Sequence, residues 1–201
     1  MKIKKTVDIC RHEDVARIYK GAHGTQWLSC GYACYPLYGV PELGEDEFFT
    51  IFDFTPKQRE DMIFECAENP LPLSTLDFYE DEELCERLSP NIPFGSKLLI
   101  PFSTLSGIKF LDSEYLAPLA DEIKNIEVYE RTPKNGEPYF AVKVGMSLRA
   151  LIMPFNAVNK PFVDNIEKIY FLCQKALSEK ETEDARQIGV CTDNTGEVVG
   201  E

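Results

Sequence analysis

Apolar residues recur at helical spacing in one long segment near the end of the chain. In NKPFVDNIEKIYFLCQKALSEK they stand three or four positions apart, at Phe162, Ile166, Ile169, Tyr170, Cys173 and Leu177. Residues at this spacing share one face of an α-helix. Asn159 is a suitable N-cap, so we predict a helix over residues 159–180. Residues 181–201 are polar and have no period, and we expect a mobile tail there.

Apolar positions alternate with polar ones in the segment before this helix, which predicts β-strands. KLLIPF and GIKFLD are two of them, and IEVYERT and PYFAVKV flank Asn135-Gly136, a pair typical of a hairpin turn. A continuous strand would then place alternate residues on one buried face: Phe140, Val142, Val144, Met146, Leu148, Ala150 and Ile152. Gly145 indicates either a bulge or a turn between two strands. SEYLAPLADEI predicts a short helix capped by Ser113.

The pattern in the first half of the chain is less regular. IKKTVDIC alternates enough to predict a strand, and HEDVARIYKG predicts a short helix, with an edge strand as the alternative. QWLSCGYACYPL predicts one or two strands that end at Pro36. EDEFFTIFDF predicts an amphipathic helix, Thr55-Pro56 begins a second one, and MIFECA returns as a strand. The acidic LDFYEDEELCERLS is compatible with a small helix on a loop.

These elements predict an α+β fold: antiparallel sheet flanked by short helices, with a longer C-terminal helix. We expect a single domain over residues 1–180. An alternative division has halves at 1–95 and 96–158, followed by the helix 159–180.

One stretch of the predicted elements is similar to a known family. GIKFLDSEYLAPLADEIKNIEVYERT, followed by a strand ending in RALIMPF, resembles the closing part of the repeat of bacterial DNA sliding clamps. In that repeat a strand leads into a short S-x-Y-L helix and a final strand ends in an LIMP phrase. The resemblance covers residues 107–155 and, in outline, 3–37, and it implies two β-α-β-β halves. Clamp helices that face DNA are basic, whereas SEYLAPLADE is acidic and contains Pro118, so the resemblance implies kinship of fold rather than encirclement of DNA.

Composition limits the class of protein further. With 44% apolar residues, the chain can bury a core without metal or disulfide staples. No apolar run approaches the roughly 20 residues of a membrane span, and MKIKKTVDIC lacks the apolar segment of a signal peptide. We therefore expect a cytoplasmic protein without membrane contact, whose seven cysteines are reduced.

Charge argues against direct binding to nucleic acid. The net charge is −13, although six basic and three acidic residues give residues 1–20 a net charge of +3. An acidic surface serves solubility, a partner with a basic face, or mimicry of nucleic acid. The candidate carboxylates for such mimicry are Asp77, Glu80, Asp81, Glu82, Glu83 and Glu86.

Catalytic motifs are scarce. The chain has only two histidines, and it contains no metalloprotease, nucleophile-elbow, phosphate-loop or dinucleotide motif. We expect no cofactor, and an enzyme is not the favoured class.

The aromatic and cysteine-rich segment QWLSCGYACYPLYG leaves several interpretations open. Cys10, His12, Cys30 and Cys34 are candidate zinc ligands, although their spacing is unlike that of a zinc knuckle. Cys30 or Cys34 is a candidate nucleophile with His23 as its base. A platform for bases made by Trp27, Tyr32 and Tyr35 would need neighbouring cations, and residues 21–44 contain no Lys or Arg. The favoured interpretation is packing in a sheet, with any exposed part of these three aromatics as a protein-binding surface.

The leading hypothesis for function is a non-enzymatic protein that acts through contacts with a protein partner. We associate compact acidic chains of this kind with phages and mobile elements. The alternatives are a clamp-like replication accessory module, an acidic inhibitor that mimics nucleic acid, and a thiol or zinc enzyme.

Overall fold

The structure is a computed structural model, and the residues that it describes are 1–21, 24–133 and 136–192, with side chains described as far as residue 184. Contacts divide the chain into two compact units, unit 1 over Met1–Asn156 and unit 2 over Ala157–Glu201. The domain boundaries expected from the sequence stay a prediction. The fold class is α+β, as predicted.

The helices and strands of unit 1 follow one another along the chain with short connections. The α-helices in the described part of the unit are α1 (Ile3–Glu13), α2 (Glu45–Ile51) and α3 (Pro56–Asp61). The strands are β1 (Val15–Lys20), β2 (Gln26–Ser29), β3 (Ala33–Pro36), β4 (Ile63–Cys66), β5 (Glu83–Leu84), β6 (Glu86–Arg87), β7 (Ile92–Phe94), β8 (Lys97–Thr104), β9 (Gly107–Asp112), β10 (Ile126–Arg131), β11 (Tyr139–Val144) and β12 (Ser147–Ile152). Among the described residues, Ser113–Leu119 and Ile123–Asn125 also form 3-10 helices.

The strands form a large sheet and a small one. The large sheet has the order β4-β1-β2-β3-β12-β11-β10-β5, and all its pairs are antiparallel except β1 with β4. In the small sheet β8 pairs with β6 and β7 along one edge and with β9 along the other.

The large sheet contains the same arrangement twice. A helix precedes three antiparallel strands in α1-β1-β2-β3, and the 3-10 helix Ser113–Leu119 precedes β10-β11-β12. The two sets meet where β3 pairs with β12, at Leu151 with Cys34 and Ile152 with Ala33. Their helices also touch, since the Lys2 N–H donates to the Pro118 carbonyl at 2.7 Å.

Both faces of the large sheet are buried at its central strands, whereas the edge strands β4 and β5 are largely exposed. One face packs into the main core through Leu28, Tyr35, Phe140, Val142, Ala150 and Ile152. The other face carries a second cluster made by Trp27, Cys34, Tyr139, Ala141, Leu148 and Leu151, against which Leu71 and Leu73 pack. Strands with two buried faces lose the alternation of apolar and polar residues.

The first two predicted elements are interchanged in the structure. Residues 3–13 form a helix rather than a strand, because Ile3, Val7 and Cys10 turn towards the core at helical spacing. The helix ends at Asp14, whose φ of 53° is left-handed. Residues 15–20 form a strand rather than a helix, with Ala16 and Ile18 buried and their neighbours less so.

Three further predictions need correction. The acidic segment forms the short strands β5 and β6 instead of a helix. The helix after β9 is of the 3-10 type, and its cap is Asp112 rather than Ser113, since Asp112 Oδ1 accepts from the Glu114 N–H at 3.1 Å. The seven apolar residues from Phe140 to Ile152 do not share one buried face, because Gly145 makes the turn between β11 and β12 with φ of 58°, one of its two predicted roles, and Met146 is 90% exposed.

The other predicted elements are confirmed. α2, β4, β8, β9, β10 and β11 lie where the pattern places them, and Thr55 caps α3 in a capping box with Gln58. The predicted Asn135-Gly136 turn falls partly outside the described residues.

Unit 2 contains one long helix in its described part, α4 (Lys160–Thr192). Asn159 caps it as predicted, because its Oδ1 accepts from the Phe162 N–H at 3.0 Å. The helix continues past residue 180, its predicted end. Among the described residues, no helix combines the length and the hydropathy that crossing a bilayer requires.

Candidate functional site

A pocket of about 420 Å³ opens in unit 1 beside the end of β12. Its walls come from separate parts of the chain, and most of its lining is aromatic or aliphatic. The lining residues are Glu13, Tyr32, Lys97, Tyr115, Met153, Pro154, Phe155 and Asn156. A concave surface of this size, lined by apolar groups with a few polar ones, is the usual form of a binding site.

Tyr32 lies at the tip of the turn between β2 and β3. Gly31 makes this turn with φ of 96°, and its N–H donates to Ser29 Oγ at 3.1 Å. The Tyr32 carbonyl accepts from the Met153 N–H at 2.8 Å, which ties the turn to the segment that follows β12. The backbone of Tyr32 is therefore held in place, while its side chain is 58% exposed.

Tyr115 forms a buried wall of the pocket. Its ring centre lies 6.5 Å from that of Tyr32, and its hydroxyl donates to Glu13 Oε1 at 3.1 Å. Its carbonyl accepts from the Tyr35 hydroxyl at 2.7 Å. Burial, together with the negative charge of Glu13, raises the pKa of Tyr115 well above its usual value.

Phe155 and Lys97 complete the pocket. Phe155 is bridged to β9, since its N–H donates to the Phe110 carbonyl at 2.7 Å, and its ring meets Phe94 edge to face. Lys97 lies near the Tyr115 and Phe155 rings and pairs with Asp112 at 2.7 Å. The hydrogen bond to Asp112 raises the pKa of Lys97, and the Asp112 carboxylate balances the charge of Lys97. The carboxylate of Glu13 therefore gives the pocket a net negative charge.

The structure separates the three aromatic residues that the sequence grouped as a protein-binding surface. Trp27 is 2% exposed and belongs to the second cluster, and Tyr35 is fully buried in the main core. Burial removes Tyr35 from any docking surface of the folded unit, and it leaves Trp27 only a small part of the lining of a separate pocket beside Tyr38 and Phe78. Tyr32 alone of the three is exposed, and it stays a predicted binding residue.

The acidic segment is not a uniform solvated face. Asp77, Glu80, Asp81, Glu83 and Glu86 are exposed, and nucleic-acid mimicry stays a prediction for these five. Asp77 has a structural contact, because its Oδ1 accepts from the Leu148 N–H at 2.7 Å.

Glu82 belongs to an internal ion cluster rather than to the surface. One of its carboxylate oxygens pairs with Arg131 at 2.7 Å, and the other pairs with Lys143. Arg131 is fully buried, and its Nη1 also donates to the carbonyls of Ser74 and Leu76 at 3.1 and 2.9 Å. The cluster fastens residues 74–82 over the second face of the sheet.

The cysteine environment disfavours both the zinc and the thiol-nucleophile hypotheses. Cys10, Cys30 and Cys34 are buried, and burial raises the pKa of each thiol, that of Cys34 to about 12. Thiols with raised pKa values stay protonated at neutral pH, whereas a thiol nucleophile acts as the thiolate. His12 is exposed and contacts Glu114 at 3.1 Å, and His23 lies outside the described residues. Within the described part of the chain, no group of three His, Cys, Asp or Glu side chains could hold a metal ion.

Most residues of the pocket have no signal in the sequence that marks them as part of a binding site. Tyr115 and the Met153-Pro154-Phe155 run lie in the SEYL and LIMPF phrases that support the clamp resemblance, but their periodicity indicated only a helix and a strand end. Comparison with protein-family models, curated proteins and solved structures gave no match for this chain.

Proposed function

We propose that unit 1 is a protein-binding module that docks a short segment of its partner in the pocket beside Tyr32. The observation that supports this proposal is a half-exposed tyrosine on a fixed turn above an apolar pocket. Tyrosines in such positions are frequent hot spots of protein interfaces, because they bury a large surface and lose little rotamer freedom.

The lining of the pocket indicates the chemistry of the partner. A pocket of about 420 Å³ suits a large apolar side chain as an anchor. Glu13 at the pocket and a chain charge of −13 favour Lys or Arg beside that anchor. The expected ligand is therefore a peptide segment that carries an aromatic or long aliphatic residue next to a basic one.

Selection from a display library of short random peptides, with the full-length chain as bait, tests the proposal. We expect the selected peptides to share an apolar anchor and a basic neighbour. Their binding should shift the methyl resonance of Met153 in a methionine-labelled sample, because Met153 lines the pocket.

Tyr32→Ala bait is the counter-selection, and Tyr38→Ala bait is its matched control, since Tyr38 is similarly exposed but lies outside this pocket. Failure to enrich any peptide against the wild-type chain would contradict the proposal. So would enriched peptides that leave the Met153 resonance unchanged or bind the Tyr32→Ala bait equally well.

A second proposal concerns ancestry of fold. The repeated arrangement of one helix and three antiparallel strands, joined through β3 and β12, supports a kinship of unit 1 with sliding-clamp repeats. It carries no DNA-binding role, because function follows from a site rather than from a fold. An experimental structure in which the two sets do not superpose strand on strand would remove this support.

A further inference from the structure

The helix α4 carries an exposed apolar stripe. Its members include Ile166, Ile169, Tyr170 and Leu177, each more than a third exposed, and Cys173 is exposed among them. An amphipathic helix normally buries such a stripe against another element. Apolar side chains that stay exposed together along a helix mark an interaction surface.

The intervals between the apolar residues of the stripe are the same when read from either end of the helix. Phe162, Ile166, Ile169, Tyr170, Cys173 and Leu177 follow one another at intervals of four, three, one, three and four residues. With 3.6 residues per turn, all six fall within an arc of about 100°. The midpoint of the stripe lies between Ile169 and Tyr170.

A palindromic stripe is self-complementary when two copies run antiparallel. A two-fold axis at the midpoint places Ile166 opposite Cys173 of the other copy, and Phe162 opposite Leu177. Each apolar residue thus meets an apolar residue, as an isologous two-fold interface requires.

The charges along α4 also favour the antiparallel direction. Acidic residues outnumber basic ones beyond the stripe, where Glu179, Glu181, Glu183 and Asp184 accompany Lys180. In an antiparallel pair centred between Ile169 and Tyr170, Glu179 lies level with Lys160 in the first turn of the partner helix, whose N–H groups carry partial positive charge. Residues 181–184 lie level with the residues just before that turn. In a parallel pair the two acidic segments would lie side by side and repel each other.

We propose that α4 pairs with α4 of a second copy of this chain, antiparallel and centred between Ile169 and Tyr170. The pairing surface is independent of the pocket in unit 1, so either proposal can fail without the other.

Disulfide trapping tests the direction of the pair. The background chain carries Cys66→Ser and Cys191→Ser, which leaves Cys173 as its exposed cysteine among the described side chains. In the antiparallel pair the two Cys173 thiols are offset by about 10 Å along the helix axes, too far for a disulfide. Adding Ile166→Cys brings position 166 opposite Cys173, so we expect a covalent dimer on mild oxidation of this variant and none in the background chain.

Molar mass in solution tests the surface itself. Ile169→Glu places a charge in the stripe, and Phe171→Glu places it on the opposite side of the same helix, at a similarly exposed residue. By light scattering after size exclusion, we expect the mass of two chains for wild type and Phe171→Glu, and of one chain for Ile169→Glu.

Three results would overturn the proposal: a wild-type chain that remains monomeric at high concentration, a dimer that Ile169→Glu leaves intact, or a Cys173–Cys173 disulfide in the background chain. A monomeric wild-type chain would indicate that the stripe is covered by another protein or by the chain's own unit 1. A Cys173–Cys173 disulfide would indicate a parallel pair.

Discussion

Glu82 shows how a single carboxylate in an acidic run can differ from its neighbours. Residues 80–83 are all acidic, yet Glu82 alone of these residues pairs with both Arg131 and Lys143. These partners are 49 and 61 residues away along the chain. Periodicity and charge counting carry no information about such distant pairs, so the sequence could not separate Glu82 from Glu80.

Glu82→Gln should destabilise the protein by about 3 kcal/mol, because it leaves two buried cations without their carboxylate. Urea unfolding monitored by Trp27 fluorescence measures the change. The matched variant Glu80→Gln removes an exposed carboxylate and should change stability by less than about 0.5 kcal/mol. Equal effects of the two variants would show that the ion cluster does not hold residues 74–82.

The buried thiols make stability sensitive to alkaline pH. In the unfolded chain Cys34 titrates near 9.0, whereas burial raises its pKa to about 12 in the folded chain. Between these values the unfolded state has lost the proton that the folded state retains, so rising pH favours unfolding. Stability does not depend on this thiol below about pH 9, and it falls by about 1.4 kcal/mol per pH unit between about pH 9 and the folded-state pKa of about 12.

Urea unfolding from pH 8 upwards checks this dependence. Cys34→Ala should make the decline of stability less steep, because it removes a buried thiol whose pKa is raised. Cys173→Ala should leave the decline unchanged, because Cys173 is exposed. A decline that is the same in wild type and Cys34→Ala would contradict the assignment.

At the scale of elements, the interchange of the first helix and strand has a physical cause. IKKTVDIC has apolar residues at positions 3, 7, 9 and 10, which fit a helix and a short strand almost equally well. The choice is made by packing, since α1 lies against the 3-10 helix Ser113–Leu119 from the other half of the sheet. Elements with a strong cap, such as α3 after Thr55-Pro56 and α4 after Asn159, were predictable from local residues alone.

Gly145 lies in an apolar run, where a glycine is compatible with two different structures. A glycine within an apolar run indicates a bulge or a turn, and the structure has the turn at Gly145 and a register shift between Val142 and Lys143. No atom would meet a Cβ at Gly145, so only its left-handed backbone restricts substitution.

Gly145→Val should therefore cost about 1–2 kcal/mol, the strain of a branched residue in the left-handed region. Gly145→Asn should cost less, because asparagine tolerates this conformation. Thermal unfolding of both variants measures the difference. If valine and asparagine were equally tolerated, the turn would have to lack the positive φ described here.

At the scale of the whole molecule, the fold class followed from the sequence but the pocket did not. Alternation and helical spacing are local properties, and they place most strands and α4. The pocket combines Glu13, Tyr32, Lys97, Tyr115 and residues 153–156. The pairing of β3 with β12, the Tyr115–Glu13 hydrogen bond and the bridge from Phe155 to Phe110 bring these separate parts of the chain together. The burial of Trp27 and Tyr35 could not be predicted either, because the neighbours of an aromatic residue in a short strand do not indicate whether its side chain is exposed.

The most direct test of the proposed docking site is the affinity of a selected peptide for three forms of the chain, measured by isothermal titration calorimetry. The peptide is one that shifts the Met153 resonance. We expect Tyr32→Ala to weaken binding by at least about tenfold and Tyr38→Ala to change it by less than about twofold. Tyr32→Ala binding as tightly as wild type would contradict the account.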